Sequence, residues 1–250
     1  MGKRVGKGKG GLYPRKRIFR SRAHSNPLND SLFPVPETPE DVDWAEHYPN
    51  FYKEGTEDAK NEKPLVRFLD VGCGFGGLLV RMSPMFPEKL MLGMELREKV
   101  TEFVKQRIIA LREQNSGQYQ NVSCIRSNAM KFLPNYLIKG QLEKLFFLFP
   151  DPHFKVSNHR RRIINTCLLT EYAYFLTPGG ILYTITDVAE LGEWMKSKLD
   201  EHPMYERISE EACAQDPVVE ILAECSEEGQ KVKRAEGKVY LNIYRRIKTD

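Results

Sequence analysis

The chain has no apolar run approaching the ~20 residues that a bilayer-crossing helix needs, and no hydrophobic segment follows its basic N-terminus. Those two absences predict a soluble protein that is not secreted. The five cysteines, at positions 73, 124, 167, 213 and 225, include no C-x-x-C pair. With only five histidines beside them, neither a zinc cluster nor any bound metal is expected, and the thiols fit structural roles in a reducing compartment. Acid is missing from the first 24 residues, which hold nine Lys or Arg, so a chain of net charge +4 leaves residues 25–250 at −5. A polyanion-binding surface on the body must therefore be a local patch.

At 250 residues and 41% hydrophobic content, the chain can bury one substantial core. The predicted organisation is a basic, largely disordered tail over 1–40 and one domain over 41–250. Lys3-Arg4 and Arg15-Lys16-Arg17 read as nuclear-import or nucleic-acid-contacting clusters, or as a merely solubilising tail. Basic patches on the body are His153 to Arg162 and the C-terminal Lys231, Lys233, Arg234, Lys238, Arg245 and Arg246.

The densest signal is Phe68-Leu-Asp-Val-Gly-Cys-Gly-Phe-Gly-Gly77. An apolar run (Leu65, Val66, Phe68, Leu69) precedes the glycines, and Leu78, Leu79 and Met82 follow at helical spacing, so the motif joins a strand to a helix. Glycine there permits positive φ and lets a ligand approach where a Cβ would collide. Gly72-x-Gly74-x-x-Gly77 matches a dinucleotide fingerprint, whereas Asp70-x-Gly72-x-Gly74-x-Gly76 matches an S-adenosylmethionine (SAM) loop. Asp70 favours SAM, because a carboxylate suits the ammonium of the methionine moiety and repels a pyrophosphate. Glu95 ends the next apolar run, about twenty residues beyond the glycines, where such folds offer a carboxylate to ribose hydroxyls.

Further along, Val100, Phe103, Val104, Ile108 and Leu111 predict an amphipathic helix. Val122 to Ile125, a fully buried Leu145 to Phe149, and Ile181 to Ile185 after a Pro178-Gly179-Gly180 turn predict three more strands. A helix carrying Ile164, Leu168, Tyr172 and Phe175 separates the last two, and segments around 204–208 and 239–247 predict a final strand pair. This alternation predicts an α/β, Rossmann-like doubly wound sheet, mostly parallel with an antiparallel C-terminal strand. Ligands in such sheets bind beyond the strands' carboxyl ends, which puts the Gly72 loop, Glu95, Asn128-Ala129 and Pro150-Asp151-Pro152 on one rim. Asp151, held between two prolines, is the candidate catalytic acid; the plainer reading of Asp between prolines is a turn former.

Several segments together resemble the tRNA (guanine-N7)-methyltransferase family. They are Asp70 to Gly77, Gly93-Met-Glu-Leu-Arg97, Asn128-Ala-Met-Lys-Phe-Leu-Pro134, Phe147-Leu-Phe-Pro-Asp-Pro-His-Phe-Lys155, Tyr183-Thr-Ile-Thr-Asp187 and Ser226-Glu-Glu-Gly229. The similarity runs from about residue 20 to the C-terminus, and Arg22-Ala-His-Ser-Asn-Pro27 with its basic leader resembles the eukaryotic branch. The resemblance implies a SAM-dependent enzyme methylating N7 of a guanine in the tRNA variable loop (position 46 by tRNA convention), paired with a WD-repeat β-propeller subunit. It implies SAM contacts at Gly72, Glu95, Arg97, Asn128, Ala129 and Leu148, joining Asp70 and Gly74 of the loop itself. Asp151 would be the acid at the reacting centre, with Ser226 and Glu228 closing over cofactor or base. Ser226 stands where Thr is also expected, a change that keeps the hydroxyl.

The body's negative charge leaves tRNA phosphate to the partner, the tail and a local set of Lys155, His159, Arg160, Arg161 and Arg162, whose plainer reading is a solvated helix start. Arg20-Ser-Arg-Ala-His-Ser25 has arginines five and three residues before a serine, a spacing suited to basophilic kinases. Phosphorylation of Ser25 is expected to lower activity by repelling tRNA phosphate or displacing the tail. The nucleus is the expected location, with the cytoplasm as a second one. The rival readings are an amino-group methyltransferase acting on DNA, RNA or protein, an NAD-dependent oxidoreductase, and a non-catalytic RNA-binding subunit that keeps the fold.

Overall fold

The structure, a computed structural model, describes residues 13–19, 21, 26–29, 33–52 and 63–248. Seven strands form one sheet in the order β3-β2-β1-β4-β5-β7-β6. The strands are β1 (Val66–Val71), β2 (Leu90–Glu95), β3 (Val122–Arg126), β4 (Leu142–Leu148), β5 (Leu176–Thr186), β6 (Tyr205–Arg207) and β7 (Tyr240–Arg246). The first five pair in parallel, and β7 runs antiparallel to both β5 and β6. Helices alternate with them as α1 (Trp44–His47), α2 (Gly77–Met82), α3 (Glu98–Gln114), α4 (Ala129–Phe132), α5 (Thr166–Phe175) and α6 (Ala189–Asp200). Three more, α7 (Glu210–Ala214), α8 (Pro217–Leu222) and α9 (Glu227–Arg234), precede β7.

The apolar runs of the sequence follow from burial on both faces of a parallel sheet. Side chains alternate across the pleat, so neighbours in sequence enter opposite cores. Phe68, Met91, Phe146 and Tyr183 pack with α2, α3 and α8, whereas Leu69, Leu92, Phe147 and Leu182 pack with α5 and α6. The helix predicted around Phe103 is α3, which buries Val100, Phe103, Val104, Ile108 and Leu111. The strand pair expected near the C-terminus is β6 with β7, and its three-residue edge is ion-paired through Arg245 and Glu206.

Two local expectations change. The Pro178-Gly179-Gly180 segment lies within β5 as an irregularity: Leu176 already pairs with Leu142, and the ladder resumes at Lys144 and Ile181. The buried run of β4 stops at Phe147, and Leu148 and Phe149 are only half-buried because they emerge at the rim.

Parts of the 1–40 segment rest against the domain. A 3-10 helix, Lys16–Phe19, lies on α3, with the Phe19 ring 5.6 Å from Phe103 and Lys16 5.4 Å over Phe75 of the glycine loop. Residues 33–48 run beside the edge strand β3, where the buried Tyr48 hydroxyl donates to the Met91 carbonyl at 2.8 Å. On the other side, Lys144 Nζ lies 2.9 Å from Asp216, whose carboxylate also accepts from the Tyr183 hydroxyl and, at 3.0 Å, from the Val218 amide. Burial alone would raise the Asp216 pKa, yet Tyr183 and Lys144 outweigh it and hold the carboxyl below its ordinary value. This cluster fastens the α7–α8 segment to the sheet.

Candidate active site

The glycine loop leaves β1 with its Gly72 and Cys73 amides donating to the Met94 carbonyl, at 2.8 and 3.1 Å. Gly72, Gly74 and Gly76 have φ values of +72°, +53° and +73°, the left-handed region that glycine alone enters without strain. A Cβ at Gly72 would meet nothing within 4 Å, so the backbone there borders open space, whereas one at Gly76 would strike Val104 at 2.8 Å. One glycine opens the loop toward the rim and another lets it close onto α3. Arg107, which the sequence reading did not single out, fixes the loop from outside by donating to the Phe75 carbonyl at 2.8 Å. Its only sequence signal is a cation on the helix that follows the acidic strand end.

Asp70 is 3% exposed, and its Oδ1 has no hydrogen-bond partner among the described residues. Burial, and secondarily the charge of Glu95, push its pKa up to about 7. A buried acid with an unused oxygen beside an open glycine backbone fits the ammonium of SAM. Glu95 is engaged differently: Oε2 accepts from the Gly74 amide at 3.1 Å, and Oε1 from the Arg97 amide at 2.9 Å. The Arg97 guanidinium then grips both oxygens, each at 3.0 Å. Glu95 thus ties the loop to β2, and any ribose at this strand end shares the carboxylate with Arg97.

Asn128 caps α4, accepting from the Met130 amide at 3.1 Å, while its Nδ2 donates to the Pro27 carbonyl at 2.6 Å. Ala129 is buried beside it. At the other end of the rim, Leu148 closes β4, and Asp151 follows between two non-glycine residues in the left-handed region, Phe149 (φ +49°) and His153 (φ +45°). Such conformations are costly for bulky side chains and persist where the surroundings impose them. The Asp151 side chain is 29% exposed, with the His153 imidazole Nδ1 3.9 Å away. A cleft of about 390 Å³ opens there, lined by Asn26, Asp151, His153, Phe154, Lys155, Asn158 and Arg161.

The basic set divides. Residues Val156–Arg161 form a 3-10 helix in which His159 is half-buried, and Arg162 follows as its extended C-cap residue, the Arg162 amide donating to the His159 carbonyl at 2.9 Å. Arg162 is 1% exposed, which corrects its expected place on tRNA phosphate. Its Nε donates to the Pro152 carbonyl at 2.9 Å, its Nη2 to Glu190 at 2.7 Å, and its guanidinium lies 4.7 Å over Trp194. The His159 ring also packs on Trp194, at 5.3 Å. Both side chains brace the Asp151 loop against α6, leaving Lys155 and Arg160 exposed and Arg161 on the cleft. Asn165 caps α5, so the basic run is a separate turn and not that helix's start.

The C-terminal residues also reach the rim. A Cβ at Gly77 would lie 1.8 Å from the Cys225 carbonyl oxygen, so α2 begins in backbone contact with the segment entering α9. Ser226 caps α9, accepting from the Gly229 amide at 2.9 Å. Glu228 is exposed, pairs with Lys231 at 3.1 Å, and its charge reaches Arg97. The structure therefore gathers Asp70, Gly72, Gly74, Glu95, Arg97, Asn128, Ala129, Ser226 and Glu228 around the first strands' ends, with Leu148 and Asp151 one strand over.

This fold and rim define a SAM-dependent methyltransferase. A family model described as "Putative methyltransferase" matches residues 64–242. The chain is 58% identical over 240 residues to the tRNA (guanine-N(7)-)-methyltransferase of Oryza sativa subsp. japonica, covering 95% of this chain and 93% of that protein. Its identity to the protein so described from Arabidopsis thaliana is 58% over 235 residues (94% and 92% covered), and to that from Mus musculus 51% over 244 residues (94% and 91%). The chain belongs to the tRNA (guanine-N7)-methyltransferase family, and SAM is its cofactor.

Asp70 gives a pH signature. In the ligand-free protein it takes up a proton as pH falls through about 7, and the neutral acid cannot pair with an ammonium. SAM affinity should therefore rise between about pH 6 and 8, with net proton release on binding near neutrality. Calorimetry in two buffers of different ionisation enthalpy measures the proton count, and an Asp70→Asn protein should bind weakly with a flat profile. Equal affinity across this range in the wild type would remove Asp70 from the ammonium site. The same shift makes Asp70's own contribution to the stability of the unliganded fold greatest below the ordinary carboxyl pKa, and that contribution is lost as pH climbs to about 7.

Proposed function

We propose that this chain transfers the methyl group of SAM to N7 of the guanine at position 46, in the tRNA variable loop, as the catalytic subunit of a heterodimer with a WD-repeat β-propeller protein. The observation that carries this reading is the placement of the Asp151 cleft one strand from the Asp70 and Gly72 loop, since β1 and β4 are direct neighbours paired at Asp70 and Phe146. SAM supplies an activated methyl for in-line displacement. Guanine N7 already bears a lone pair and no proton, so the protein needs no strong base and contributes position and electrostatics. Asp151 orients the base by accepting from its N–H edge, or offsets the positive charge that develops on the ring. Arg162 and His159 hold the loop bearing that carboxylate.

Lys155, Arg160 and Arg161 are the tRNA-facing cations of this proposal, and the partner and N-terminal segment supply the remaining phosphate contacts. Nuclear residence, with a cytoplasmic share, rests on the basic leader. Ser25 lies outside the described residues, but the next residue, Asn26, lines the Asp151 cleft, which supports inhibition by a phosphate at position 25. The testing experiment is transfer of labelled methyl from SAM to unmodified tRNA, with and without the β-propeller protein, followed by nucleoside analysis. Label in 7-methylguanosine only with the partner supports the whole proposal, and label without it makes the partner an accessory. Label on an exocyclic nitrogen overturns the chemistry.

A further inference from the structure

Phe154 stands apart from every other phenylalanine near the rim. It is 66% exposed, although its loop neighbour His153 has a side chain only 10% exposed. The left-handed backbone of His153 turns the chain so that consecutive side chains diverge, one toward Asp151 and the next outward at the mouth of the cleft. Val156, 80% exposed, follows it, and the cations Lys155 and Arg160 are exposed on the same loop. Packing does not require a phenyl ring there, since folding buries little of it. A planar apolar ring among cations, beside a cleft containing a carboxylate, is the composition of a surface that stacks a nucleobase while its phosphates are neutralised.

We propose that Phe154 is a stacking platform for the tRNA base neighbouring the target guanine, occupied when that guanine leaves its stack to enter the Asp151 cleft. Drawing a base into a cleft costs the stacking it shared with its neighbour, and a ring at the cleft mouth offsets that loss for the neighbour. The assignment rests on the tRNA-methylating reading above. It predicts a π-face requirement: Phe154→Ala should lower kcat/KM for tRNA about tenfold or more, chiefly through KM, with SAM affinity unchanged. Phe154→Leu should fall with the alanine variant because it restores apolar bulk without a ring, whereas Phe154→Tyr should keep most of the activity. Phe154→Trp should place an indole whose emission is quenched when unmodified tRNA is added.

All variants are measured in the preparation that methylates tRNA in wild-type form, so failure of the wild type on any tRNA would strike the activity and not the platform. Alanine or leucine variants with wild-type kcat/KM, or an indole at 154 that tRNA leaves unquenched, would overturn the proposal. Because the side chain is exposed, unchanged thermal melting is expected for all four substitutions, and any kinetic loss then belongs to the RNA contact.

Discussion

An Asp151→Ala enzyme is expected to lose methyl transfer by about 100-fold at the least, the scale of removing one preorganised electrostatic group, while binding SAM almost as the wild type does. The separation follows from the rim: Asp70, Gly72 and Glu95 sit on β1 and β2, whereas Asp151 follows β4 and faces the cleft with His153 and Arg161. Single-turnover methylation with saturating SAM and tRNA measures the step directly. An Asp151→Asn enzyme divides the two roles left open for the carboxylate. Retained activity would mean that Asp151 mainly accepts hydrogen bonds from the base, and a loss equal to alanine's would mean that its charge is needed. Wild-type turnover in the alanine variant would take Asp151 out of the mechanism.

The reason Asp151 is held well enough to matter was only partly legible in the sequence. The flanking prolines were visible, and they restrict the backbone, but the loop's shape depends equally on left-handed conformations at Phe149 and His153, which no residue-type rule assigns to a phenylalanine. Arg162 shows the same gap from the other side. In a run of three arginines each looks alike, and what holds this one inward is its contact with Trp194 and Glu190, which lie about thirty residues away in sequence. The strands and the rim were legible because period-two and continuous apolar runs, glycine-rich turns and strand-terminal acids are local signals. The partners of Glu95 were not, because a carboxylate at a strand end reads identically whether it meets a ribose or Arg97.

Gly77 carries the second large effect. Its backbone is not in the left-handed region, so an alanine there is refused by contact alone: the added Cβ would lie 1.8 Å from the Cys225 carbonyl oxygen and 3.0 Å from its carbon. A backbone carbonyl cannot rotate aside as a side-chain end can, so α2 and the Cys225–Ser226 segment must separate. Overpacking of this kind costs about 3 kcal/mol or more, which in a chain of this size lowers the melting temperature by roughly 6–12 °C. Since Ser226 caps α9 and Glu228 follows within it, Gly77→Ala should also weaken SAM binding, even though position 77 needs no ligand contact of its own. Gly117→Ala is the matched control, with φ +78° and nothing within 4 Å of its Cβ, so it should cost only the ~1–2 kcal/mol of a left-handed alanine and leave SAM affinity intact. Equal melting temperatures and equal SAM affinity for the two variants would mean that the α9 segment does not depend on Gly77 for its seat beside the cofactor loop.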